Sequence, residues 1–110
     1  MAGVEDPDVI DLVAQDGAGR WLVVMVETRP WGSDYFQGTQ LKDKINAYAT
    51  WISEGSLVAA SPEAEGAPVV IRLDCVEPPT GPYAVITVLA TKSLAALGIG
   101  FEVHVAPAVP

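Results

Sequence analysis

The chain has 110 residues, a size typical of one domain, and half of them are hydrophobic. Its formal charge is −8, with only six Lys and Arg scattered from Arg20 to Lys92; this excludes a nucleic-acid backbone or an anionic membrane surface as partner, since both need clustered cations. No apolar run approaches the roughly 18 residues of a bilayer span, no signal-peptide pattern opens the chain, and a lone Cys75 makes no internal disulfide and suits a reducing cytoplasm.

In chain order, residues 1–8 form a short acidic lead-in, expected to be loose until Pro7. Val9-Ile-Asp-Leu-Val-Ala-Gln-Asp16 alternates, which predicts a half-buried strand with Ile10, Leu12 and Ala14 inward and Asp11, Val13 and Gln15 outward. Asp16-Gly-Ala-Gly19 is a turn. Arg20–Glu27 is a second strand, apolar on both faces, so the two strands read as a hairpin. Pro30 and Gly32 break the strand in Thr28–Asp34, and Ser33 or Asp34 is placed to cap a helix.

That helix carries the clearest period in the chain. Leu41, Ile45, Tyr48 and Ile52 line one face, while Lys42, Asp43, Lys44 and Asn46 give it a wet side. It is expected to fray near Gly38, hold from about Gln40 to Ser53, and stop at Gly55. Residues 56–68 read as a loop with a short extended piece at Leu57-Val58. Val69–Val76 is a third strand, with Val69, Ile71, Leu73 and Cys75 on one side and Val70, Arg72, Asp74 and Val76 on the other. Residues 83–97 have strand propensity at Val85–Val88, yet Ile86, Leu89, Ala90, Leu94 and Leu97 keep a helical spacing that ends at Gly98, which predicts a helix. Phe101–Val105 is the last strand and 106–110 a tail.

The predicted fold is a single α/β (α+β) domain: a two-layer ββαβαβ sandwich, with a four-stranded mixed sheet and two helices on one face. The opposite face is expected to carry Trp21, Val23 and Met25 beside Arg72, Asp74, Glu102 and His104. A patch holding Trp, Val and Met points to an interface, and the mean hydropathy of +0.32 agrees with a homodimer through this face.

The chemistry-bearing residues are few. Cys75 falls on the helix-covered side, where a free Cys is a small buried hydrophobe. His104 is the one histidine; it can serve as a base beside Asp74 or Glu102, or stand as a solvated side chain. No metal-ligand spacing and no phosphate-binding Gly pattern occurs, so neither metal nor cofactor is expected. Arg29-Pro-Trp31, with Asp34 and Tyr35, is a loop of binding-type residues. The leading functional reading is a non-enzymatic module that self-associates through the open sheet face and binds another protein, for instance as an inhibitor covering a basic partner. The alternative is a binder of a small anionic ligand, or a weak enzyme, using Trp31, Asp34, Arg72, Asp74 and His104, with Arg72 as the anion clamp.

The opening Glu5-Asp-Pro-Asp-Val-Ile-Asp-Leu12, together with Arg29-Pro-Trp31, Gln40–Tyr48 and Ile71-Arg-Leu-Asp-Cys75, resembles a family of small uncharacterised bacterial proteins. The resemblance runs from Val4 to about Val105. It implies the ββαβαβ layout and a cytoplasmic bacterial setting, and it implies no catalytic residue.

Overall fold

Trp21–Glu27 (β2), apolar up to its last residue, and Val69–Cys75 (β3), interrupted only by Arg72 and Asp74 on one face, lie parallel at the centre of a four-stranded sheet. β1 (Leu12–Gln15) pairs antiparallel with β2 at one edge, and β4 (Ile99–Val105) pairs parallel with β3 at the other. The spatial order β1-β2-β3-β4 follows the chain. This computed structural model describes residues 3–106, so the expected tail lies, beyond Ala106, outside the described residues. The mixed sheet and the ββαβαβ order are as the patterning predicts.

Helix α1 (Gln37–Ser53) buries Leu41, Ile45 and Tyr48, as their spacing requires. It runs through Gly38 instead of fraying there. A Cβ at that position would sit 3.6 Å from Ile86 Cδ1, an ordinary van der Waals separation, so the first turn packs against the second long helix without requiring a glycine there. Asp34 does not cap α1; its Oδ1 accepts the Phe36 N–H just before the helix. Gly55, at φ 85°, ends the helical path in the left-handed conformation that glycine adopts freely.

The expected extended piece at Leu57-Val58 is instead a short helix, α2 (Ser56–Ala60), followed by a 3₁₀ turn at Pro62–Ala64. Tertiary burial decides this: Leu57 is enclosed in the core, which one helical turn achieves and an exposed extended strand would not. Helix α3 (Gly81–Ala95) covers the ambiguous segment, with Pro82 in its first turn and Ile86, Ala90 and Leu94 buried. The helical period there prevails over strand propensity.

The two strands of the hairpin face opposite to expectation. Trp21, Val23 and Met25 pack under the helices, and Val13 joins them. Leu22, Val24 and Val26 lie on the helix-free face, and Leu12, paired with Val24, stands largely exposed. The inversion is concerted because pairing locks β1 to β2: a shift of one residue in parity moves every side chain of both strands. β2 is apolar on both faces, so alternation cannot orient it. Bulk can: Trp21 and Met25 fill the thick helix layer, while the shorter Val24 and Val26 suit the face that only side chains cover.

The N-terminal lead-in is not loose over its described residues. Val4 is fully buried, and its N–H donates to Val26 O at 3.0 Å. β1 stops at Leu12, which would leave the end of β2 unpaired. Val4 and Asp11 take over that edge: Asp11 Oδ2 accepts the Val26 N–H at 2.9 Å. A bare strand edge with free N–H and C=O groups is thereby closed.

Lys44, expected on the wet side of α1, is fully buried. Its Nζ donates to Gly3 O, Asp6 O and Val9 O at 2.7, 2.7 and 2.9 Å, and to Asp11 Oδ1 at 2.9 Å. Three ammonium protons thus serve four acceptors, one of them a carboxylate. Tyr48, one turn further, donates its hydroxyl to Val24 O at 2.8 Å and accepts the Asp11 N–H at 2.9 Å. Burial holds its phenol well above the ordinary tyrosine range. Tyr48→Phe is expected to cost about 1–3 kcal/mol, since it strands a buried carbonyl and an amide. Chemical denaturation checks this, and a loss near zero would show that water replaces the hydroxyl.

Candidate functional site

Three surfaces bear on function, and each is built by a different element. The first lies at the C-terminal ends of the parallel strands, where α/β sheets commonly place ligands. Here residues 28–36 form a braced platform. Glu27, buried at the end of β2, accepts the Arg29 backbone N–H at 2.9 Å and its guanidinium at 2.9 and 2.8 Å. Arg29 also donates to Gln40 Oε1 at 2.9 Å. Buried Gln37 accepts the Gly32 N–H at 2.7 Å and donates to Pro30 O at 3.3 Å. Trp31 donates its backbone N–H to the Glu77 carboxylate and its Nε1–H to Glu77 O, both at 2.9 Å. Its ring stacks on Tyr83 with centroids 5.1 Å apart. Trp31 is therefore a brace between this loop and α3. The platform presents Tyr35 and Phe36 to solvent, 93% and 61% exposed, in an edge-to-face pair.

The second surface is the helix-free sheet face. Strand parity places Arg72, Asp74, Glu102 and His104 there, as expected. Arg72 grips Asp74 through Nε and Nη2 at 2.7 and 3.0 Å, so its fork is already engaged by a carboxylate. His104 Nδ1 lies 3.8 Å from Asp74 Oδ1. Arg20, before β2, reaches Glu102 on β4 and also holds Asp16 at 2.6 Å. To do so its side chain crosses β3. Leu22, Val24 and Val70 form a small buried cluster on this face with no helix above them, and they share it with these ion-paired arginines, whose apolar stems suit such a cover. Gly100 adds to the closure: a Cβ there would meet Val70 Cγ2 at 3.1 Å, so Val70 leans into the space that glycine leaves.

The eight candidate residues thus separate into three places. Trp21, Val23 and Met25 are core, not interface, because the hairpin is inverted. Trp31 and Asp34 belong to the platform at the strand ends. Arg72, Asp74 and His104 sit across the sheet from Trp31, which packs in the helix layer. Cys75 is buried as expected, and burial pushes its thiol up to about 11, away from thiolate chemistry.

The third surface was not singled out in the sequence. Helix α3 buries Ile86, Ala90 and Leu94 but leaves Val85, Val88 and Leu89 more than half exposed, with Leu97 just beyond its end. A groove of about 280 Å³ runs between α1 and α3, walled by Ile45, Ala49, Leu89 and Leu97 with Lys42 at its rim. The signal for it was present. Apolar residues spread over most of α3, broken only by Thr87, Thr91, Lys92 and Ser93, which is wider than a helix with one covered face needs.

These elements define a small α+β protein with one helix layer on a mixed open sheet. The chain belongs to the family of unknown function DUF6572, which it matches over residues 2–107. No curated protein and no solved structure matches it. Among the described residues, no helix is long and apolar enough to cross a membrane.

Proposed function

We propose that this protein is a non-enzymatic interaction module that pairs with a second copy through the outer face of α3. The observation that carries the reading is a largely apolar helix with one side uncovered at Val85, Val88 and Leu89. Exposed apolar patches of this kind mark association surfaces. The charge distribution favours a second copy as the occupant. The chain is strongly acidic, yet residues 81–98 hold no carboxylate and a single cation, Lys92. Two chains of −8 repel each other through most surfaces and least through this one. The helix-free sheet face offers less for dimerisation, since its apolar residues share it with ion pairs. The buried lone Cys75 fits a cytoplasmic setting for such a module.

Analytical ultracentrifugation tests the reading. A dimer is expected for the native chain. Val88→Glu is expected to give a monomer with unchanged helical content, because an exposed substitution shifts stability by only about 0.5 kcal/mol. A native chain that stays monomeric at high concentration overturns the proposal.

A further inference from the structure

We infer that the Tyr35–Phe36 pair is a docking point for a basic segment of another protein, one carrying exposed Lys or Arg side chains. The pair is held out of the core by design of its base, not by looseness. Asp34 Oδ1 accepts the Phe36 N–H at 2.7 Å, Asp34 O accepts the Gln37 N–H at 3.1 Å, and buried Gln37 ties Gly32 and Pro30 beneath them. The backbone that carries the two rings is already ordered and the rings pair edge to face, so little backbone freedom is lost on binding, as suits an interface anchor.

Charge selects the partner. Of the ionised groups around the platform, Arg29 is matched by buried Glu27. That leaves the carboxylates of Glu5 and Asp34, 3.9 and 3.5 Å from the same guanidinium, and of Glu77, which faces Trp31. Glu5 and Asp34 are half open to solvent. A partner guanidinium or ammonium can therefore lie on the face of Tyr35 or Phe36 with a carboxylate beside it, combining cation–π and ionic attraction. An acidic partner would meet repulsion at the same place. The pair lies on a different element from Val85, Val88 and Leu89, so its binding is tested independently of self-association.

The test uses the full-length chain and an oligo-arginine peptide, with an oligo-glutamate peptide of equal length as control, followed by titration calorimetry and NMR shift mapping. Oligo-arginine is expected to bind, more weakly as salt rises, with the largest shifts at Tyr35 and Phe36; oligo-glutamate is expected not to bind. Tyr35→Ala with Phe36→Ala is expected to weaken binding roughly tenfold or more. Glu63→Gln with Glu65→Gln, in the distant 3₁₀ turn and just after it, is expected to change it less than about twofold. Equal losses in both double variants would mean diffuse attraction to an acidic chain and overturn the inference. So would absent binding, or loss of the dimer in the aromatic variant, which would assign the pair to the self-association surface.

Discussion

Lys44→Met is expected to destabilise the protein by about 3–5 kcal/mol, a large share of the total for a domain of this size. The ammonium is fully buried and answers four acceptors from the N-terminal segment. Removing it leaves the nearly buried Asp11 carboxylate without its counter-charge and three carbonyls without a donor. Replacing both partners of a buried ion pair by apolar residues is often harmless elsewhere. Here Lys44→Met with Asp11→Leu is not expected to recover, because Asp11 also holds the Val26 N–H and Lys44 also holds the three carbonyls. Urea unfolding measures the loss. Hydrogen exchange is expected to show the Val4 and Val26 amides opening first, since that strand edge depends on the lost contacts. A loss below about 1 kcal/mol, the value of an exposed pair, would contradict this account.

Glu27→Ala is expected to cost about 3 kcal/mol, because the substitution removes the buried carboxylate that accepts the Arg29 backbone N–H and grips its guanidinium. The same group predicts a pH dependence. Burial alone pushes the Glu27 carboxyl up, but the hydrogen bonds from the Arg29 side chain and backbone outweigh it, and the net position is below the ordinary value of 4.5. A carboxyl depressed in the folded state contributes stability that is complete above the unfolded value. That contribution is lost as pH falls from about 4.5 through the lower folded value. Stability measured by denaturation should therefore fall on the acid side of pH 4.5 in the native chain, and fall less steeply in Glu27→Ala. An acid limb of identical slope in both would remove Glu27 as its source.

Both residues show where reading the chain runs short. Glu27 ended a strand otherwise apolar from Trp21 to Val26, and nothing local announced that Arg29, two residues on, would fold back to pair with it. Lys44 stood among polar neighbours on α1 and looked solvated. Its burial depends on residues 3–11 crossing over that side of the helix, a contact 33 to 41 residues away in the chain. Arg72, Asp74 and His104 fall on the helix-free face, as their parity predicts, because β3 and β4 alternate cleanly. Trp21, Val23 and Met25 were placed on the wrong face because β2 does not alternate. The exposed face of α3 is hidden in the pattern for a related reason: Leu89 and Leu97 share a helical spacing with Ile86, Ala90 and Leu94, yet only the last three meet the sheet, and Leu89 and Leu97 stand exposed.

By itself the chain determined the element order, the core faces of α1, β3 and β4, and the acidic, cation-poor character that limits its partners. These follow from period and composition, which are properties of single segments. Only the tertiary structure decided the orientation of the hairpin, the burial of Lys44 with Asp11, and which side of α3 is left bare. Each of those is a choice between surfaces of similar apolarity, or a charge whose environment is made by distant backbone, and such choices are settled by packing rather than by pattern.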